Sequence, residues 1–219
     1  TITGGTGEDT ITTGSGSART GASNITGGAG NDTITLSEHS SVGNVVDTIN
    51  FAVHGSNGHD TIAGFEAGSG VDVVILQSSD TTDGTTATAN AVITGYTLTS
   101  ADYVDGATYD FGAATGITTS IGDVFEWLDG NTANANLGST DTDGTELLKL
   151  VGQTGATAAS IKLDDDHDAY ILAYDAGNAY LFHAEPNGDS TATAAEITKV
   201  ATFTGVSAGA FATADFVMA

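Results

Sequence analysis

Glycine and aspartate recur at fixed spacing near the start of the chain. Residues 4–12 (GGTGEDTIT) and 27–35 (GGAGNDTIT) fit the pattern G-G-x-G-x-D-x-U-x, in which U is a large apolar residue. Residues 55–63 (GSNGHDTIA) lack the second glycine, and residues 67–75 (AGSGVDVVI) have alanine in place of the first. Asp47, in the segment DTI, preserves only the second half of the pattern.

These residue types suit a calcium site. Glycine adopts backbone angles closed to other residues, so its carbonyl oxygen can turn toward an ion, and aspartate adds a carboxylate. Ca²⁺ accepts about six to eight oxygen ligands in irregular geometry, whereas Mg²⁺ is more demanding and keeps its waters. We expect two stacked turns to form one oxygen cage. The candidate metal-site residues are Gly4, Gly5, Thr6, Gly7, Asp9, Gly27, Gly28, Ala29, Gly30, Asp32, Gly55, Asn57, Gly58, Asp60, Gly68, Gly70 and Asp72.

The apolar residue that follows each aspartate predicts an internal ladder. One turn alone cannot bury such a side chain, so neighbouring turns must stack. A glycine-rich β-solenoid, whose aspartates only cap turns through side-chain hydrogen bonds, is the alternative interpretation of the same pattern.

The repeats resemble the RTX calcium-binding repeats of proteins that Gram-negative bacteria export by type I secretion. The resemblance implies a parallel β-roll with Ca²⁺ in its turns and a secreted, extracellular or cell-surface location. The spacing is irregular, because Asp9 and Asp32 are 23 residues apart and Asp32 and Asp60 are 28 apart. We therefore predict an all-β chain, with a short irregular parallel β-roll over residues 1–76 and a β-rich C-terminal domain over residues 77–219.

The charge balance limits the classes of partner. The chain has four Lys and Arg residues against 28 Asp and Glu, which gives a net charge of −24. Nucleic acid and anionic membrane surfaces are excluded on this ground, whereas multivalent cations would offset the carboxylates. No apolar run is long enough to span a bilayer, so we expect no membrane insertion. The chain contains no cysteine, which excludes disulfides and thiolate metal sites.

The second part of the chain reads as short strands and turns. Residues 169–174 and 179–183 flank DAGN and predict a β-hairpin. Residues 91–96 and 146–151 are predicted strands, and residues 123–128 fit either a strand or a short helix.

Two acidic loops are weaker metal candidates. Residues 185–196 place acidic and amide side chains at EF-hand-like spacing, but Ser190 stands where that loop needs glycine. Residues 164–168 contain four carboxylates. An ordinary solvated turn is the alternative for both loops. The candidate ligands are Asp189, Glu196, Asp164 and Asp166.

The end of the chain, residues 195–219, resembles the C-terminal regions of large RTX-type surface and S-layer-like proteins. That resemblance implies an export signal, and a terminal strand that closes a sheet is a compatible interpretation. The start of the given sequence shows no signal-peptide pattern, and Thr1 lies inside what looks like a repeat. We therefore expect a fragment or processed product with further sequence upstream.

No active site is evident in the sequence. The zinc-protease motif H-E-x-x-H is missing, so we predict that the chain is not an enzyme. The leading hypothesis is a calcium-binding structural protein of a bacterial surface layer or extracellular matrix. We expect it to self-associate into a lattice or filament, with cell-surface polysaccharide as a further candidate partner. The alternatives are the export region of an RTX adhesin and the RTX tail of a secreted enzyme.

Overall fold

The computed structural model describes twelve stretches of the chain. They are residues 1–14, 21–37, 45–52, 54–68, 71–77, 92–96, 108–110, 123–127, 135–151, 160–162, 168–185 and 191–219. The strands are β1 (Ile2–Thr6), β2 (Thr10–Thr12), β3 (Asn24–Ala29), β4 (Thr33–Thr35), β5 (Thr48–Asn50), β6 (Asp60–Ala63), β7 (Val73–Leu76), β8 (Val92–Tyr96), β9 (Thr108–Asp110), β10 (Asp123–Trp127), β11 (Ser160–Lys162), β12 (Ala169–Asp175), β13 (Asn178–Ala184), β14 (Thr191–Ala192), β15 (Ile197–Thr204) and β16 (Phe216–Met218). The α-helices in these stretches are α1 (His54–Asn57) and α2 (Thr145–Val151). None of the described helices is long and apolar enough to cross a membrane.

Strands β1 to β7 alternate between two sheets. β1, β3, β5 and β7 pair in parallel in one sheet, and β2, β4 and β6 pair in parallel in the other. The chain therefore coils through both sheets, and each pass through the two sheets makes one turn of the coil. A β-rich fold is confirmed, with both parallel and mixed sheets.

Two ladders of apolar side chains fill the interior of this coil. The short strands alternate Thr-Ile-Thr, so isoleucine faces inward while threonine faces the surface. In one sheet Ile25, Ile49 and Val74 lie in register, and in the other Ile11, Ile34 and Ile62 do. All six are buried.

The last two strands of the chain close the coil. β15 pairs in parallel with β6, and β16 pairs in parallel with β7. Phe203 lies opposite Ile62 and Phe216 lies opposite Val74, so each apolar ladder ends in a buried phenylalanine. The prediction that the terminal strand closes a sheet is confirmed.

β15 also begins the second half of the larger sheet, whose order is β2-β4-β6-β15-β13-β12-β10-β8. The predicted hairpin is confirmed, since β12 and β13 pair antiparallel from Ala169–Ala184 to Asp175–Asn178. Residues 92–96 form a strand as predicted, and residues 123–127 are a strand rather than a helix. A three-stranded sheet, β14-β11-β9, is not hydrogen-bonded to the other two, but its Ile161 and Ala192 share a core cluster with the larger sheet. Both larger sheets contain strands from each side of residue 76. The predicted division of the chain into two domains at that residue stays a prediction.

The strand predicted at residues 146–151 is wrong, because these residues form α2. Leucine, glutamate and lysine favour a helix, and a Glu146–Lys149 ion pair of 2.6 Å spans one helical turn. Asp143 Oδ1 accepts a hydrogen bond of 2.9 Å from the N–H of Thr145, where the helix begins. The sequence favoured a strand only because apolar residues are dense there. In the helix three of them, Leu147, Leu148 and Leu150, are buried.

Candidate metal centre

The repeat turns stack in a column along one side of the coil. This first column consists of residues 4–9, 27–32 and 55–60, the turns that lead into β2, β4 and β6. The N–H of Asp9 donates to Asp32 Oδ1 at 2.8 Å, and the N–H of Asp32 donates to Asp60 Oδ1 at 3.0 Å. Asp32 and Asp60 therefore each use one carboxylate oxygen to hold the turn before their own.

Glycine is required where the turns touch. Gly28 has a φ of 112° and Gly30 a φ of 121°, both in the left-handed region that disfavours other residues. A Cβ on Gly28 would collide with the carbonyl oxygen of Gly5, and one on Gly30 with that of Gly7. Gly58 stands against Gly30 in the same way. The pattern G-G-x-G thus allows close contact between backbones.

Oδ2 of Asp9 and Oδ2 of Asp32 take no part in the hydrogen bonds that join the turns. Asp9 Oδ2 and Asp32 Oδ2 are both buried, and neither has a hydrogen-bond partner among the described residues. The Asp32 side chain is only 1% exposed. Each oxygen lies against the glycine that opens its own repeat, Gly4 for Asp9 and Gly27 for Asp32. A buried carboxylate oxygen without a partner is costly, so these two positions call for a positive charge.

The donor set fits a hard cation. Within the described stretches, no group of three or more His, Cys, Asp or Glu side chains is placed to hold a metal ion. A cation between these two turns would therefore need backbone oxygens besides the two carboxylates, and calcium tolerates such a mixture. One backbone oxygen is partly engaged, because the Ala29 carbonyl accepts a hydrogen bond of 2.6 Å from Gly7.

The third turn of the column satisfies its carboxylate internally. Asn57 is buried, and its amide nitrogen donates to Asp60 Oδ2 at 3.2 Å. The amide oxygen of Asn57 accepts a hydrogen bond of 3.2 Å from the N–H of Ala52. Asn57 therefore gives Asp60 Oδ2 the partner that Oδ2 of Asp9 and of Asp32 lacks among the described residues. Gly55 is exposed in this turn.

Burial shapes the titration of this third turn. Desolvation raises the pKa of Asp60 to about 7, although hydrogen bonds from Asp32 and Asn57 oppose the rise. Desolvation lowers the pKa of the neighbouring His59 to about 4, and the charge of Lys199 adds to that effect. The His59 ring nitrogen Nε2 lies 2.9 Å from Thr202 Oγ1 on β15.

A second column holds the turns that lead into β3, β5 and β7. The N–H of Ser23 donates to Asp47 Oδ1 at 2.6 Å, and the N–H of Asp47 donates to Asp72 Oδ1 at 2.9 Å. Asp72 Oδ2 accepts a further bond of 3.0 Å from Glu66, and burial raises the pKa of Asp72 to about 6. Asp47 repeats the stacking role of Asp32, although sequence reasoning left it out of the site. The segment DTI at residues 47–49, which the intact repeats share, could have indicated this role.

The remaining candidates are dispersed. Gly70, Asp164, Asp166 and Asp189 lie outside the described residues. Glu196 is described, and its Oε2 accepts hydrogen bonds from the N–H and the hydroxyl of Thr193, at 2.9 and 2.7 Å. Gly68 donates its N–H to Asp215 Oδ2 at 2.7 Å, a carboxylate that sequence reasoning missed.

No protein-family model, curated protein or solved structure matches this chain. The case for a function therefore rests on the geometry of the two columns.

Proposed function

We propose that this chain is a calcium-binding structural protein of a bacterial surface layer or extracellular matrix, secreted and then folded outside the cell. The observation that carries the calcium proposal is the pair of buried oxygens, Asp9 Oδ2 and Asp32 Oδ2, that lack partners among the described residues of two stacked turns. We assign the site to Asp9 and Asp32 together with backbone oxygens of residues 4–7 and 27–30. Bound calcium would be the counterion of these two buried carboxylates.

The strand order supports an RTX-type interpretation. Parallel strands alternate between two sheets, and glycine turns stack at the side of the coil. We interpret this arrangement as a short, irregular β-roll in which the first two turns form the calcium site. The third turn, with Asn57 in place, holds its own carboxylate without an ion.

The net charge of −24 supports folding that is coupled to export. Where free calcium is scarce, the stacked carboxylates repel one another and oppose the compact state. Outside the cell, an ion that binds only the folded turns stabilises them by mass action. The chain would therefore stay extended during secretion and order its turns on arrival.

Among the described strands, β1 stands at the edge of its sheet, and this placement supports the proposal of self-association. All five residues of β1 are exposed, and β3 is the neighbour of β1 on one side of its sheet. A strand with unpaired N–H and C=O groups can pair with another chain. We propose that such edges join subunits into a lattice or filament, with cell-surface polysaccharide as a further candidate partner.

The test is a calcium titration of the full chain, followed by far-ultraviolet circular dichroism and sedimentation velocity. In EDTA we expect an incomplete β signal and no association, and Ca²⁺ should complete the signal and start the association. Asp32→Asn keeps an oxygen for the Asp9 N–H but removes the charge, so the midpoint should rise at least about tenfold.

Asp47→Asn is the matched control. Asp47 is equally buried and accepts the same kind of backbone hydrogen bond, but it lies in the second column. Its midpoint should stay close to that of the unmodified chain. A β signal that is complete in chelator, or equal midpoints for the two variants, would overturn the proposed site.

A further inference from the structure

A buried carboxylate outside the repeats lies at the closed end of the coil. Asp215 immediately precedes β16 and is 0% exposed. Its Oδ2 accepts hydrogen bonds from the N–H of Gly68 at 2.7 Å and of Ala212 at 2.9 Å. The carboxylate therefore joins the turn before β7 to the turn before β16.

The other oxygen of this carboxylate is unsatisfied. Asp215 Oδ1 is buried and has no hydrogen-bond partner within the part of the chain that the structure describes. The two lysine amines whose positions are described are engaged elsewhere: Lys149 binds Glu146, and Lys199 binds the carbonyls of Leu137 and Ser139. Neither amine neutralises Asp215.

Neither protonation state of Asp215 alone removes the problem. Burial raises the pKa of Asp215, while the N–H donors of Ala212 and Gly68 oppose the rise. A proton would have to reside on Oδ1, because Oδ2 already faces two N–H donors, and it would then lack an acceptor among the described residues. An ionised carboxylate would be a buried charge without a counterion. A cation at Oδ1 resolves both difficulties.

The turn that Asp215 holds carries two further carboxylates, Glu66 and Asp72. The N–H of Glu66 donates to Asp72 Oδ2 at 3.0 Å, and the N–H of Asp72 donates to the Glu66 carbonyl at 3.2 Å. We propose that Asp215 anchors a second divalent-cation site, of the calcium type, that ties the turn at residues 66–68 to β16. Backbone oxygens and water complete its coordination. This site relies on the same calcium chemistry as the proposed function but shares no residue with the site at Asp9 and Asp32.

Counting bound ions tests the inference. Native mass spectrometry of the full chain in CaCl₂ would compare the unmodified protein with Asp215→Asn and Asp32→Asn. Asparagine keeps one oxygen for the N–H groups of Gly68 and Ala212 but removes the charge. We expect Asp215→Asn to bind one Ca²⁺ fewer than the unmodified chain, and to keep the ion that Asp32→Asn loses.

The two proposals fail separately in this comparison. If Asp32→Asn loses an ion and Asp215→Asn loses none, the second site is overturned and the proposed function stands. If only Asp215→Asn loses an ion, the second site is supported and the site at Asp9 and Asp32 is overturned.

A measurement without an Asp215 variant guards against misfolding of that variant. In the Asp32→Asn protein, the amide hydrogen exchange of Gly68 and Ala212 should slow at least about tenfold when Ca²⁺ replaces EDTA. Exchange at these two amides that is indifferent to Ca²⁺ would overturn the second site.

Discussion

At the scale of single residues, the partner of the second carboxylate oxygen distinguishes one turn from another. Asp9, Asp32 and Asp60 occupy the same place in three stacked turns. Oδ2 of Asp60 is satisfied by Asn57, whereas Oδ2 of Asp9 and of Asp32 has no partner among the described residues. An aspartate in a glycine turn is therefore not enough to define a cation site, since a neighbouring amide N–H can satisfy the same carboxylate oxygen.

Asn57→Ala should convert the third turn from a self-sufficient turn into a calcium-dependent one. The variant leaves Asp60 Oδ2 and the N–H of Ala52 without their partner. We expect a loss of about 1–3 kcal/mol in the free energy of unfolding in EDTA, because buried polar groups become unsatisfied. Added Ca²⁺ should recover more stability in this variant than in the unmodified chain.

Urea unfolding with and without Ca²⁺ measures this effect. Ser56→Ala is the control, because Ser56 lies in the same turn but is exposed. Equal losses for the two variants, or a loss in Asn57→Ala that Ca²⁺ does not recover, would contradict the role given to Asn57.

The sequence identified some of these residues and missed others for a physical reason. Asp9 and Asp32 stand in intact repeats, so the motif was enough to predict them as site residues, although it did not predict which aspartates pair. The role of Asn57 could not be predicted, because it depends on a contact within a damaged repeat. Asp215 precedes Phe-Val-Met, an Asp-x-apolar pattern like that at Asp47, but it lies 147 residues from its partner Gly68.

At the scale of elements, the stack of turns depends on backbones that lie closer than side chains permit. Gly28→Ala places a methyl group against the Gly5 carbonyl in a left-handed conformation. The conformation alone costs about 1–2 kcal/mol, and the collision adds to it. We expect a fall in the thermal midpoint of at least about 3 °C, since 1 kcal/mol corresponds to about 2–4 °C in a chain of this size.

Gly14→Ala is the matched control for this variant. Gly14 is exposed, and a Cβ there would meet nothing within 4 Å. Its midpoint, measured by differential scanning calorimetry, should stay within about 1 °C of the unmodified chain. Similar midpoints for the two variants would show that the turns do not need the close contact.

Local sequence patterns predicted the individual strands better than they predicted which distant strands pair. Alternation in Thr-Ile-Thr was enough to predict the ladders, and the short DAGN turn was enough to predict the β12–β13 hairpin. The apolar residues of α2 alone suggest a strand, whereas the ion pair between Glu146 and Lys149, three residues apart, favours a helix. The pairing of β6 with β15 joins Asp60 to Ala201, and no local pattern links segments so far apart.

At the scale of the whole molecule, positive charge is scarce, with four Lys and Arg residues, and one of them is buried. Lys199 is 2% exposed, and its amine donates hydrogen bonds of 2.9 Å to the carbonyls of Leu137 and Ser139. The larger sheet, through Lys199 on β15, therefore contains a buried cationic side chain. The repeat turns contain buried carboxylates instead, so their stability should respond to pH and to added ions.

The pH dependence follows from Asp60. Its pKa rises from 3.8 to about 7 in the folded chain, so between these values the folded state holds a proton that the unfolded state has released. Stability from this group is therefore lost as pH rises toward 7. In EDTA, we expect the stability of Asp60→Asn relative to the unmodified chain to increase by about 2 kcal/mol between pH 5 and pH 8.

Urea unfolding at the two pH values measures this difference. The comparison with Asp60→Asn is needed because His59, with a pKa lowered to about 4, shifts the stability of both proteins in the opposite direction. A difference between the two proteins that stays constant with pH would contradict the buried, protonated state of Asp60.

The closure of the coil by β15 and β16 has a consequence for incomplete chains. Until residues 197–218 arrive, β6 and β7 present bare backbone edges beside apolar ladders that lack their terminal phenylalanines. Such edges are templates for pairing with other chains. A polypeptide made from its N-terminus would expose these edges throughout synthesis if its turns ordered early. Calcium-dependent ordering, as proposed above, would therefore also protect the nascent chain from aggregation.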